Sequence, residues 1–334
     1  EVSWEVCNKI GGIHTVVATK ALNLAKDLEN RHILIGPDVW RDTAQNPEFT
    51  EDHTLFRTWR GRASEEGLRV RVGRWNVVGE PIAILVDFSN FISKKDEILT
   101  DFWKKFTLDS LSGQWDYVES VLFGYAAGKV IESFIHYNVA PGKKSVVQFH
   151  EWMTGSGLLY LKDKKVPVGK VFTTHATVIG RCLAGNNLPL YGKLQEYKSD
   201  DKAREFNVMA KHSLEKVSAL NSDVFTTVSE ITANECKYLI GKDVDIITPN
   251  GFEENFIPDG ADLKSDEREA RAAMINMAAV MSGTKVSENA LIIGTGGRYE
   301  YKNKGIDVFI NAMGLLNKQN IDKDIVAVIA VPAA

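Results

Sequence analysis

The chain has 334 residues, 44% of them hydrophobic and 25% charged, with a formal net charge of −4. That length exceeds one ordinary hydrophobic core and points to two domains, or to one domain and part of another. The small negative charge leaves no basic footprint, so neither nucleic acid nor an anionic membrane is expected as a partner. In chain order, Val2 to Val6 reads as a short strand running into Lys9-Ile10-Gly11-Gly12. A helix follows with Ile13, Val16, Val17, Leu24 and Leu28 on one face, and then the strand at 32–37. Strand, Gly-Gly, helix, strand is a βαβ unit, in which paired glycines let a ligand approach the backbone and the helix start offers N–H groups to an anion. A bare Gly-Gly is equally read as a tight turn. Residues 38–65 read as polar and irregular, and 68–75 with 82–88 as an antiparallel pair whose arginines form a solvated face.

Residues 99–139 read as helical, with Gly124 and Gly128 permitting close helix–sheet packing. The next strand, Ser145 to Phe149, ends in His150-Glu151-Trp152, and a helix spans 155–161. Val171-Phe172-Thr173-Thr174 reads as a buried strand that stops at His175, with Gly180-Arg181 close behind. After a Gly/Asn/Leu/Tyr-rich connection over 182–201 come a charged amphipathic helix at 202–217, the strand Val224 to Ser229, and a helix from Glu230 to about Ile240. Residues 245–248 then lead to Pro249-Asn250-Gly251. Residues 253–289 read as a helical linker, broken at Gly283-Thr284. A fresh strand from Ala290 ends in Gly294-Thr295-Gly296-Gly297-Arg298, and a helix carrying Ile306, Phe309, Ile310, Met313 and Leu316 precedes a last strand at 325–331. The domain expectation is an N-terminal Rossmann-like domain over 1–252, the linker 253–289, and the start of a second Rossmann-like domain over 290–334.

Three scattered cysteines, Cys7, Cys182 and Cys236, argue against a disulfide framework and a zinc site and fit a reducing cytoplasm. No metal and no cofactor is expected. No secretory signal is visible in residues 1–20, and the longest apolar run, Ile325 to Pro332, falls short of the ~20 residues a membrane helix needs. A first residue that is not Met and an end directly after a strand-like run are read as the ends of a fragment.

The repeated feature is an apolar strand that ends in a polar or glycine cluster. In open α/β sheets the ligand crevice lies outside the carboxyl ends of the strands, which places His175 where a ligand would sit. Arg298 at a strand end and Lys304 at the following helix start can aim at the same phosphate groups, Arg as a bidentate fork and Lys as a point charge. The alternative at that place is a surface ion pair with Glu300 or Asp307, and spacing alone does not separate the two. The glycines around Gly294 do not form a G-x-G-x-x-G fingerprint, which disfavours NAD.

The segments EVCNKIGGIHTV, GRW, FHEW, FTTHATVIGR, DVFTTVSEIT, TPNG and GRYEYKNKG, in this order, closely resemble the glycogen synthase family of the fungal and animal type. The resemblance covers essentially the whole chain. It implies an α/β glycosyltransferase of GT-B architecture that transfers glucose, with retention, from UDP-glucose to the non-reducing end of an α-1,4-glucan. It further implies catalytic roles for His175, Arg298 and Lys304, with His175 at the transferred glucose and the two cations at the leaving diphosphate. Lys9, Gly11 and Gly12 would form the loop near the donor, Arg181, Asn250 and Gly251 would help hold the donor, and His150 and Glu151 would line the cleft wall. The family's late glutamate motif would lie beyond Ala334, so a chain of this extent is expected to be inactive alone. The parent is expected to be cytoplasmic and could assemble as a homo-oligomer. Segments 182–197 and 255–289 depart from the fungal and animal pattern and leave ADP-glucose open as the donor. A carbohydrate-binding or scaffold module without catalysis is the rival from another class.

Overall fold

The β-branched runs read from the sequence pair with one another, in parallel except where Arg69–Trp75 is involved. In a computed structural model that describes residues 1–28, 31–42, 45–251 and 260–331, two units separate: Glu1–Leu183 with Pro189–Gly251, and Ala184–Leu188 with Phe252–Ala334. The first eight residues of the expected linker boundary, 252–259, lie outside the described residues.

The first unit holds two four-stranded sheets. One is ordered β1 (Ile33–Pro37), β4 (Ile82–Asp87), β3 (Arg69–Trp75), β2 (Phe49–Glu51); the other is ordered β5 (Val146–His150), β6 (Gly169–Thr174), β7 (Val224–Thr227), β8 (Ile246–Ile247). Val2 joins them, bridging in parallel to Ile35 on one side and Phe149 on the other. Its N–H donates to the Gln148 carbonyl, and its own carbonyl accepts from the His150 N–H. Only β3 runs against its neighbours. The carboxyl ends of Val2, β1, β4 and β5 to β8 therefore share one edge, and the chain reverses its order across the sheet at Val2, the kind of switch point where α/β sheets bind ligands.

Helices cover this sheet: α1 (Gly12–Leu28), α2 (Arg57–Glu65), α3 (Lys95–Phe106), α4 (Trp115–Asn138), α5 (Gly155–Asp163), α6 (Val178–Gly185), α7 (Ser199–Glu205), α8 (Met209–Asn221) and α9 (Glu230–Glu235). The main core joins Trp59, Tyr117, Phe123, Phe149, Phe172 and Phe225, all fully buried. Helix α4 is buried on most of its surface because it packs against both the sheet and α5. A Cβ on Gly157 would stand 2.6 Å from the Gly124 carbonyl oxygen, so these two backbones touch only because neither position carries a side chain. The close packing read from Gly124 is thus with a helix rather than with the sheet.

The second unit contains α10 (Gly260–Ser282), β9 (Leu291–Gly296), α11 (Ile306–Leu316) and β10 (Ile325–Ala330), with β10 parallel to β9 and Ile325 opposite Leu291. This is the βαβ unit expected over 290–331. The α/β class expected from the sequence holds, with parallel strands in both units.

Several expectations are corrected. The strand expected over Val2 to Val6 is a single bridging residue, because Trp4–Cys7 turns away and Cys7 adopts φ 53°. Residues 38–65 are not irregular throughout: β2 and α2 lie there, short and highly charged, and Trp59 and Ala63 are the buried positions that fix α2. The helix expected at 202–217 is two helices, parted at Asn207, whose φ of 55° no continuing helix allows.

Candidate active site

Every site residue that the sequence places before position 252 lies at a strand end, in a loop or in the first turn of a helix, at the carboxyl edge shared by the two sheets that Val2 joins. Lys9, Gly11 and Gly12 follow Val2; His150 and Glu151 close β5; His175 follows β6, with Arg181 in α6; Asn250 and Gly251 follow β8, both exposed.

At the centre, His150 Nδ1 and His175 Nε2 share a hydrogen bond of 3.0 Å, their rings 5.3 Å apart. Burial pushes the His175 imidazole down to about 4, and the nearby charges of Lys20 and Arg181 add to the shift. Burial likewise holds the His150 imidazole well below its ordinary range. Both rings are neutral at physiological pH, so one nitrogen in the shared bond donates and the other accepts. His150 Nε2 is buried with no hydrogen-bond partner. An unpartnered lone pair there costs less than an unpartnered N–H, which favours the tautomer in which His150 Nδ1 donates and His175 carries its proton on Nδ1.

Glu151 lies behind the His175 loop rather than open to solvent, at 7% exposure. Its Oε1 accepts the backbone N–H of His175 at 2.9 Å and of Ala176 at 3.2 Å. Its backbone sits at φ 63°, ψ 167°, a conformation costing on the order of 1–3 kcal/mol for a residue with a Cβ. Two further buried carboxylates that the sequence reading missed complete this support. Glu215 of α8 accepts the Val178 N–H, and Glu235 of α9 accepts from the Thr177 hydroxyl at 2.7 Å. Gly180 leaves the room for Glu235, since a Cβ there would stand 2.3 Å from its Oε2. Burial raises the Glu151 and Glu215 carboxyls, Glu215 well above its usual range, while Arg181 opposes both shifts. Glu215 had a legible signal: it lies three residues after His212 and four before Ala219, on the buried face of α8.

The glycine loop is held in the same way. Glu5 Oε2 accepts the N–H groups of Gly11 at 2.8 Å and His14 at 2.9 Å, so a carboxylate already caps the start of α1. Nothing lies within 4 Å of a Cβ built on Gly12, which leaves that backbone open to a ligand.

In the second unit, Arg298 follows β9 and Lys304 precedes α11. Arg298 Nη2 pairs with Glu300 Oε1 at 2.7 Å, so the surface ion pair left open by the sequence does form. That pair is partly exposed, and exposed pairs of this kind hold their partners weakly. The Lys304 side chain runs along Gly297, whose Cβ would meet Lys304 Cδ at 3.4 Å, and among the described residues it makes no ion pair. No group of three His, Cys, Asp or Glu suited to a metal ion occurs among the described residues, and no helix among them is long and apolar enough to cross a membrane.

The glycine loop and the neutral histidine pair follow strands at the switch point of an α/β sheet, the place where sheets of the Rossmann-like kind bind ligands. Comparison with known sequences narrows the class: the glycogen synthase family profile matches residues 1–334, and the chain belongs to that family. It is 34% identical to the glycogen [starch] synthase of Dictyostelium discoideum, across 100% of this chain and 38% of that protein. Identity to the mouse liver glycogen [starch] synthase is 32%, across 95% of this chain and 45% of that protein, and to the Neurospora crassa protein 29%, across 100% and 48%. The chain thus spans less than half the length of these curated relatives. Among solved structures, a trehalose-6-phosphate synthase aligns over 98% of this chain and 62% of its own, at 13% identity and a TM-score of 0.48.

Proposed function

We infer that the full-length protein carrying this sequence is a glycogen synthase with GT-B architecture, transferring glucose with retention from UDP-glucose to the non-reducing end of an α-1,4-glucan. Family membership over the whole chain supports the reaction class. The observation that carries the site is the neutral pair of buried His150 and half-buried His175, held from behind by Glu151. In the transfer, the bond from the glucose C1 to the diphosphate oxygen breaks, a bond from C1 to an acceptor hydroxyl oxygen forms, and the hydroxyl proton leaves with the diphosphate. Positive charge grows at C1 and negative charge on the departing oxygen. A neutral imidazole at His175 tolerates the first, where an imidazolium would repel it. Arg298 and Lys304 answer the second, as cations do at leaving phosphates. Gly11 and Gly12 admit the donor close to the backbone, and Lys9, Arg181, Asn250 and Gly251 contact it. His150 and Glu151 act through His175 rather than by touching substrate.

The test is transfer of labelled glucose to glycogen by the full-length protein, with UDP-glucose and ADP-glucose offered in parallel. His175→Ala is expected to lower kcat by roughly 10²–10³, the usual cost of removing one transition-state contact. Turnover with UDP-glucose that His175→Ala leaves at the wild-type level would overturn the assignment, and turnover with ADP-glucose alone would make adenine the base of the donor.

A further inference from the structure

Two of the arginines that sequence alone assigns to a solvated face, Arg69 and Arg71, join three others around one hollow. A cavity of about 660 Å³ opens at the carboxyl ends of β1 and β4, lined by Arg41, Arg57, Arg60, Arg69 and Arg71 and by the carboxylates Asp38 and Asp87. Two of the five guanidiniums are anchored. Glu51, which is not part of the lining, takes Arg60 Nη2 at 3.0 Å and Arg71 Nε at 3.0 Å from behind, and Asp38 lies 3.5 Å from Arg71 Nη1. The other three are loosely held. Asp87 stands 3.4 Å from Arg69 and 3.9 Å from Arg41, and it already accepts the Ser89 N–H at 2.9 Å. Arg57 makes no ion pair among the described residues, and the solvated Asp42 reaches Arg41 only at 3.8 Å. Five guanidiniums against Asp38, Glu51 and Asp87, with the solvated Asp42 beside Arg41, leave a net positive charge in one concave place.

We propose that this hollow is a second ligand site of the first unit, distinct from the histidine pair, and that it binds a phosphate monoester dianion on a small molecule. The net positive charge has the sign that a phosphoryl dianion needs. Loosely held forks can turn to its oxygens without giving up a close bond, and the bidentate geometry of Arg suits them. The volume exceeds what inorganic phosphate needs and lies in the range of small-molecule pockets, which leaves room for the carried group. Asp38 and Asp87 add acceptors for hydroxyls on a sugar-like carrier and act against a ligand of higher negative charge.

The experiment is calorimetric titration of the chain with inorganic phosphate and with ribose 5-phosphate, against ribose and against chloride at matched ionic strength. Arg57→Gln and Arg69→Gln, singly and together, are the variants of choice, since both side chains are exposed and neither buries a close ion pair. Binding of the phosphate ligands, weakened roughly tenfold by each single change and lost in the double variant at an unchanged melting temperature, is expected. Ribose 5-phosphate binding more tightly than phosphate would show that the carrier is read as well; equal affinity would assign the site to the phosphoryl group alone. No binding of either phosphate ligand, binding that the double variant retains, or equal binding of ribose would each overturn the proposal.

Discussion

At the scale of residues, the first unit holds its proposed catalytic loop on carboxylates that are buried. Glu151, Glu215 and Glu235 are buried within one another's fields, and each accepts a hydrogen bond from the segment between His175 and Val178. The arrangement fixes that loop from three helices and strands at once, at the cost of two carboxyls, those of Glu151 and Glu215, that ionise reluctantly. Glu215 shows the consequence for pH. Its folded-state value is raised above the unfolded one, so its stabilising contribution is whole below the ordinary carboxylate range and is lost as pH climbs through the folded value. Glu215→Gln keeps an acceptor for the Val178 N–H and cannot ionise. The variant should therefore gain on the wild type as pH rises from about 5 to 9, by about 1.4 kcal/mol for each unit that burial adds. Chemical denaturation across that range checks it; a stability difference that stays flat with pH would mean that Glu215 titrates normally.

At the scale of elements, what was legible follows from period and punctuation. β5, β6, β7 and β9 are apolar runs closed by turn residues, and β-branched chemistry in a run of that length leaves few alternatives. The same logic failed where burial is carried by one residue. Val2 sits at the middle of the sheet through two bridges alone, and no periodicity announces a strand of one residue. Of the site, His175, His150 and Glu151 were legible because they stand where apolar runs stop. Glu215 and Glu235 were not singled out, since their partners lie 37 and 58 positions away in the chain. The glycines of the α4–α5 contact give this scale its own prediction. Gly157→Ala places a Cβ 2.6 Å from the Gly124 carbonyl and 2.9 Å from Phe149 Cε1, and neither backbone nor a buried ring can yield without moving α5 off β5. An overpacking loss of about 1–3 kcal/mol is expected in thermal or urea unfolding. Gly61→Ala, with nothing within 4 Å of the new Cβ and a helical position, should instead be neutral or slightly stabilising.

At the scale of the whole molecule, the proposed reaction makes two demands: an imidazole at the sugar, asked of His175, and cations at the diphosphate, asked of Arg298 and Lys304. Bond breaking joins the two demands, because positive charge at C1 and negative charge on the leaving oxygen grow together in one transition state. Groups that serve the same transition state lose independence when one is removed, whereas groups serving separate sites have effects that add. Arg298→Ala in the full-length protein should lower kcat/KM for UDP-glucose by roughly 10²–10³, about 3–4 kcal/mol, because the exposed pair with Glu300 holds that guanidinium only weakly in the free protein. His175→Ala should cost a similar amount, and the double variant clearly less than the product of the two losses. Measuring kcat/KM for the four proteins closes the cycle. Strict multiplication of the losses would mean that Arg298 and His175 act on different events, and a silent Arg298→Ala would leave the diphosphate without its proposed partner after β9.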